Sequence, residues 1–328
     1  MAVVAFIVGV VFSLGASALL VTRIERLGAR FRAPEAMLGI VTALAADSPE
    51  IATAVTALVR GQRDVSVGVL LGSNVFNLAA LLGLSALVAG RIALPRRVAA
   101  FEGVVAVWVA SMTVAWVAGW LSPLVGLGLT LALVVPYLFV SALPPARRRD
   151  LTLPRSWRNW LAEAVGDEEL ALSSAIHPRG GTWKDGGAAV VALATVVGAS
   201  VAMEWGATAL GARLGLSSII LGAVVLAAAT SFPNAIAAVY LASRGRGPAA
   251  LAEATNSNTL NVVVGLLVPA VILGAGKASG ADLTVALWYG GLTLVALGLA
   301  LRGGGLDRRE GGLIVGLYLA FVALLIVS

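Results

Sequence analysis

The sequence predicts an all-α integral membrane protein with ten transmembrane helices in two inverted five-helix repeats. Three observations carry that expectation. Apolar residues make up 59% of the 328, only 12% are charged and the mean hydropathy is +0.96. A soluble chain of this size cannot cover that much apolar surface, whereas a bilayer accepts it. The apolar residues are gathered into runs of about 18–25 residues, each long enough to span as a helix. Finally, two polar-studded stretches, Leu44 to Gly83 and Leu226 to Gly265, repeat one another at a fixed spacing.

The runs lie near residues 2–22, 35–59, 65–89, 98–118, 121–142, 187–210, 215–242, 249–274, 281–301 and 311–327. The first has no basic start and matches the sixth, so it reads as a helix and not as a cleavable leader. Gly15–Ser17 in the first returns as Gly198–Ser200 in the sixth, and Leu38-Gly39 returns as Leu221-Gly222, both 183 positions on. Five runs precede the polar stretch 143–186 and five follow it. The expected organisation is a first repeat over 1–142, a linker over 143–186 and a second repeat over 187–328. An odd number of spans per half means the second half enters the membrane from the opposite side, so the repeats are inverted. The linker holds the single histidine, His177. It also carries Trp157, Trp160 and Leu161, the apolar anchors of an interfacial helix.

Orientation follows from the basic residues. Of the 23 Lys and Arg, only Arg60, Arg63, Arg213 and Lys277 fall in connections on the side of the N-terminus. All the others fall in connections on the opposite side, and none lies within an apolar run. The positive-inside rule then puts both termini outside and residues 143–186 in the cytoplasm, with the cell inner membrane the expected location. Basic loops between spans also account for the net charge of +6, so nucleic acid is not an expected partner. The expected partners are membrane lipid and inorganic cations. With no cysteine in the chain, a thiolate metal site and a disulfide framework are both ruled out.

The two repeated stretches carry the chemistry. Pro49 pairs with Pro233, Glu50 with Asn234, Ser73 with Ser257, Asn74 with Asn258 and Asn77 with Asn261, each pair 184 positions apart. Prolines and polar residues at matching places in two inverted halves mark a transporter's binding site near the bilayer midplane. Proline removes a backbone donor and breaks the helix path. At lipid depth the freed carbonyls need a neighbouring helix, water or a cation. Asp47, Glu50, Asn77, Asn234 and Asn261, with the hydroxyls of Ser73, Thr230, Ser231 and Ser257, are all hard oxygen donors. Oxygen-only sets suit Na⁺ and Ca²⁺ and not zinc or copper. The shift from 183 to 184 leaves Asp47 opposite either Ser231 or Thr230.

Ser, Thr and Asn within spans also serve as packing hydrogen bonds, the plainer reading for Ser73 or Thr230 taken singly. Asp47 and Glu50 differ, because a mid-membrane carboxylate costs several kcal/mol and points to function. Glu102 begins the fourth run beside Arg96 and Arg97 and reads as their ion-pair partner. Glu204, in the outer half of the sixth run, is a candidate lining for a cation entrance. A serine–histidine dyad has no histidine within the spans, so the chain does not read as an enzyme.

The paired blocks resemble the α-repeats of the calcium/cation antiporter superfamily, which includes the sodium/calcium exchangers. Gly72–Asn77 reads GSNVFN, Ala229–Asn234 reads ATSFPN, Asn256–Asn261 reads NSNTLN and Ala45–Glu50 reads AADSPE. The resemblance covers nearly the whole chain. It implies a cation site of Glu50, Ser73, Asn77, Thr230, Ser231, Asn234, Ser257 and Asn261, and alternating access by sliding of the first and sixth helices. Family members that carry calcium usually have an acid in both repeats; here Asn234 and Asn261 are amides and Asp47 restores a second carboxylate. The implied activity is exchange of Ca²⁺ for Na⁺ or H⁺, with no cofactor beyond the transported ions. A monovalent Na⁺/H⁺ antiporter of the same fold and a passive cation channel are the alternatives. Inverted break-helix repeats favour alternating access over a channel.

Overall fold

The computed structural model describes residues 1–31, 35–148, 150–173, 181–274, 276 and 278–327. His177 and Lys277 lie outside them. The chain folds as helices α1 (Ala2–Phe31), α2 (Glu35–Ala46), α3 (Ser48–Val59), α4 (Arg63–Ala89), α5 (Arg96–Val117) and α6 (Pro123–Ala142). A connecting helix α7 (Arg155–Ser173) precedes α8 (Trp183–Leu214), α9 (Ser218–Ser243), α10 (Gly247–Leu273), α11 (Gly280–Gly303) and α12 (Arg308–Val327). Among the described residues nine of these helices are long and apolar enough to cross a bilayer. The tenth expected span, 35–59, is instead two twelve-residue helices, α2 and α3, parted at Asp47.

The chemistry of Pro49 explains that break. Having no N–H, Pro49 cannot bond the carbonyl of Ala45 four residues back. Two hydroxyls donate to that carbonyl in its place, Ser48 Oγ at 2.6 Å and Ser17 Oγ of α1 at 2.9 Å, and Ser17 also reaches the Ala46 carbonyl at 3.1 Å. The second repeat departs from expectation, for Pro233 lies inside the continuous helix α9. From Gly39 to Pro49 is ten positions, but from Gly222 to Pro233 is eleven. The extra residue falls where α9 winds as a π-helix, Leu221–Leu226, the wider turn that absorbs one added residue. Distortion is thus spread over a turn in one repeat and concentrated at Asp47 in the other.

Burial orders the helices. The most apolar window of α4 is 94% buried, whereas those of α1, α6, α8 and α12 are only 22–28% buried, so α4 is the central post and the other four face lipid. Glycine lets the posts approach: a Cβ on Gly72 would strike the backbone of Ala223, and one on Gly222 would lie 2.5 Å from the Val65 carbonyl. This small-residue seam clamps α4 against α9. Similarly, Gly9 and Gly206 let α1 and α8 lie against each other. Strands β1 (Arg91–Ala93) and β2 (Gly305–Asp307) pair antiparallel with Ile92 opposite Leu306, joining the turns after α4 and α11 at one end. At that end Trp160 and Leu161 of α7 pack onto the core, Trp160 edge-on to Phe101, while Trp157 stays exposed.

Candidate cation site

The break at Asp47 and the first turn of α3 put two carboxylates at the start of a helix, where the backbone dipole favours negative charge. Both are buried. Asp47 Oδ1 accepts from Asn234 Nδ2 at 3.1 Å and from Ser257 Oγ at 2.8 Å. Glu50 Oε1 accepts from Ser231 Oγ at 2.7 Å. The partners come from α9 and α10, so each acid of the first repeat is held by the second.

A parallel set joins α4 to α10. Asn77 Nδ2 donates to Asn258 Oδ1 and Asn261 Nδ2 to Asn74 Oδ1, both at 3.1 Å. Asn77 Nδ2 also reaches Ser257 Oγ at 3.0 Å. Asn74 and Asn258 bond one another's backbones, and Tyr289 of α11 is hydrogen-bonded to the Asn74 side chain.

These contacts obey the repeat. Exchanging each residue for its mate 184 positions away turns the Asn77–Asn258 bond into Asn261–Asn74. The same operation turns Asp47–Asn234 into Ser231–Glu50. Asp47 is therefore the mate of Ser231, and the alternative register with Thr230 is set aside. Thr230 donates to the Leu226 and Ala227 carbonyls of its own helix, at 3.0 and 3.2 Å. The symmetry fails at one place: Ser257 donates to Asp47, while its mate Ser73 has no partner for its hydroxyl among the described residues.

Five buried oxygens of this cluster lack a hydrogen-bond partner among the described residues: Asp47 Oδ2, Glu50 Oε2, Ser73 Oγ, Asn77 Oδ1 and Asn261 Oδ1. An unsatisfied buried polar atom costs about 1–3 kcal/mol, and five in one cluster point to a ligand that satisfies them together. Carboxylate, amide and hydroxyl oxygens are the donors that hard cations prefer. All nine expected residues are buried; seven are joined by cross-repeat hydrogen bonds, Ser73 offers a free oxygen and Thr230 packs on its own helix.

Other acids fall differently from expectation. Arg97 pairs with Glu163 of α7 and Arg96 donates to the Arg302 carbonyl, while buried Glu102 accepts from Tyr137 at 2.8 Å. Glu204 is in an ion pair with Arg60. Glu253, which sequence reasoning missed, stands one turn before Ser257 on α10, the serine that donates to Asp47. Its signal is plain enough: an acid inside the apolar run 249–274, four positions ahead of a site serine.

The profile of the sodium/calcium exchanger protein family matches residues 1–143 and 186–327. Among similar proteins, the sodium/potassium/calcium exchanger 4 of Homo sapiens is 33% identical over 132 residues, 38% of this chain and 21% of that protein. This chain thus matches about a fifth of the length of that relative. CaxA of Alkalimonas amylolytica, a candidate antiporter, is 26% identical over 304 residues, 88% of this chain and 86% of CaxA. Two solved structures share the fold. The H⁺/Ca²⁺ exchanger CAX superposes with TM-score 0.68 at 15% identity, over 99% of this chain and 86% of that one. The sodium-calcium exchanger NCX_Mj superposes with TM-score 0.60 at 21% identity, over 98% of each chain.

Proposed function

The chain belongs to the sodium/calcium exchanger protein family, and on that premise we propose that it is a secondary-active cation antiporter exchanging Ca²⁺ for Na⁺ or H⁺ by alternating access. One observation carries this reading: the five unpartnered oxygens gathered from both repeats. Asp47 and Glu50 supply the charge, and Ser73, Asn77, Asn234, Asn261, Ser231 and Ser257 complete the shell or hold it in shape. Two carboxylates balance one Ca²⁺, two Na⁺ or two protons. Ions that compete for the same carboxylates cannot bind together, so the gradient of one drives the other. A buried carboxylate costs more than the neutral acid, which is why protons stand beside Na⁺ as the counter-ion.

A second reading has its own support. The second repeat offers the amides Asn234 and Asn261 where an acid would strengthen divalent binding, which suits a monovalent cation antiporter. In both readings the termini lie outside, residues 143–186 lie in the cytoplasm and the protein sits in the inner membrane, in keeping with the basic loops.

Uptake of radiolabelled Ca²⁺ into proteoliposomes separates the readings. Uptake that requires internal Na⁺ assigns sodium/calcium exchange. Uptake driven by an outward proton gradient without Na⁺ assigns proton exchange. No calcium movement under either gradient, with Na⁺ moving against protons, assigns the monovalent antiporter.

A further inference from the structure

Away from the oxygen cluster, the end of the molecule carrying the α3–α4 turn holds an ion pair that the transport chemistry does not use. Glu204 of α8 is fully buried, and its Oε2 pairs with Nη1 of Arg60, the residue that caps α3. Its other oxygen accepts from Thr208 Oγ1 at 3.0 Å, and Thr208 Oγ1 lies 3.3 Å from Gln62 Oε1 in the same turn as Arg60. The single hydroxyl proton of Thr208 serves one of the two acceptors at a time. Glu50 begins α3 and Arg60 ends it, so one rigid helix of about 15 Å joins the carboxylate to the ion pair.

Comparison of the two halves shows that the fold itself does not demand this contact. The mate of Arg60 is Arg244, and the mate of Glu204, at the 183-residue offset of α1 and α8, is Val21. At the opposite end the acid is thus replaced by valine, and Arg244 lies over the Tyr240 ring, 5.1 Å from its centroid.

We propose that Arg60 and Glu204, braced by Thr208 and Gln62, form a latch that closes the candidate site at the α3–α4 end and must part for the site to open there. The latch rests on the antiport reading, because only alternating access needs an end that opens and shuts. An ion pair with one buried member is suited to such a closure, since withdrawing the part-exposed Arg60 leaves the Glu204 charge buried and alone. If α8 moves away as a body, Glu204 regains water as it loses Arg60, which is already part-exposed. The pair therefore favours two discrete arrangements, joined with the acid buried or apart with the acid hydrated, as a switching contact requires. With valine in place of the acid at the other end, the two openings have unequal costs.

The chain contains no cysteine, so a single introduced thiol reports access without background. Ala57 is buried on the face of α3 that carries Glu50, between that acid and Arg60. In sealed vesicles of known orientation, the rate at which a membrane-impermeant methanethiosulfonate, added on the Arg60 side, modifies Ala57→Cys measures opening at that end. With the latch intact modification is slow; adding Glu204→Gln raises its rate about tenfold or more. The swap Arg60→Glu with Glu204→Arg returns it toward the slow value, and Thr208→Ala gives a smaller rise. Equal rates in all four backgrounds overturn the latch. Should Glu204→Gln fail to fold, Thr208→Ala still decides, because a structural pair alone predicts no change of rate there. The readout needs no cargo: a rate that responds in a protein showing no exchange flux contradicts the antiport reading and leaves the closure standing. Normal flux with an unresponsive rate contradicts only the latch.

Discussion

Asn74 and Asn258 each donate their side-chain amide to the other's backbone carbonyl, at 3.2 and 3.3 Å. The two residues are mates in the internal repeat, so the pair of bonds lies on the axis that relates the halves. Around it, Asn77 and Asn261 reach across to Asn258 and Asn74. The clasp fixes α4 against α10 while leaving the Oδ1 atoms of Asn77 and Asn261 free. Clasping bonds and unpartnered oxygens are thereby divided among neighbouring asparagines.

That division predicts a stability phenotype. Asn258→Ala removes the bond it donates to the Asn74 carbonyl and the acceptor of Asn77 Nδ2, so the protein should lose about 2–4 kcal/mol. Thermal unfolding in detergent should show a clearly lowered midpoint, and Asn74→Ala should match it. An unchanged midpoint in either variant would show that the clasp does not hold the halves together.

The break at Asp47 predicts an asymmetry between mates. Ser17→Ala takes one donor from the Ala45 carbonyl and a side-chain donor from that of Ala46, an expected loss of about 1–2 kcal/mol. Its mate Ser200 makes a 3.0 Å contact with Ser13 and a long 3.4 Å contact with the Pro49 carbonyl. Ser200→Ala should therefore unfold at a higher temperature than Ser17→Ala. The reverse order would mean that the hydroxyls are not what satisfies the broken helix.

Much of this was legible from the sequence, because polar groups are conspicuous where lipid tolerates few. The pairs Pro49–Pro233 and Asn77–Asn261 announced both the repeat and the polar cluster that forms its candidate site. Why Pro49 breaks its helix and Pro233 does not was less legible. The added residue between Gly222 and Pro233 showed only as a change of offset, and its absorption into a π-turn depends on packing against α4. The ion pair of Arg60 and Glu204 joins residues 144 positions apart, with no periodicity to announce it. Glu253 was visible, an acid within an apolar run four positions ahead of Ser257.

Asp47 should contribute charge more than shape. Asn in its place keeps an acceptor for Asn234 and Ser257 but removes one negative charge from a low-dielectric site. Asp47→Asn is expected to raise the apparent KM for Ca²⁺ about tenfold or more while altering that for Na⁺ less. Titrating uptake against each ion checks this; equal effects on both ions would make Asp47 a packing acid.

Glu253 stands on α10 between Ser257 and the Arg244–Arg246 turn where that helix begins. Glu253→Gln should weaken cation uptake from that side, raising its KM about three- to tenfold, and leave KM from the other side nearly unchanged. Vesicles sorted by orientation distinguish the two sides. A symmetric effect would mean that Glu253 belongs to the central site itself.

The most direct test concerns Glu50, whose free Oε2 lies among the five unpartnered oxygens. Radiolabelled Ca²⁺ uptake by proteoliposomes is compared between the unaltered protein and Glu50→Gln, each first shown to elute and unfold alike. Loss of a central carboxylate ligand should cut exchange at least about a hundredfold with the fold intact. Uptake by Glu50→Gln equal to that of the unaltered protein would contradict the assignment of this oxygen cluster as the transport site.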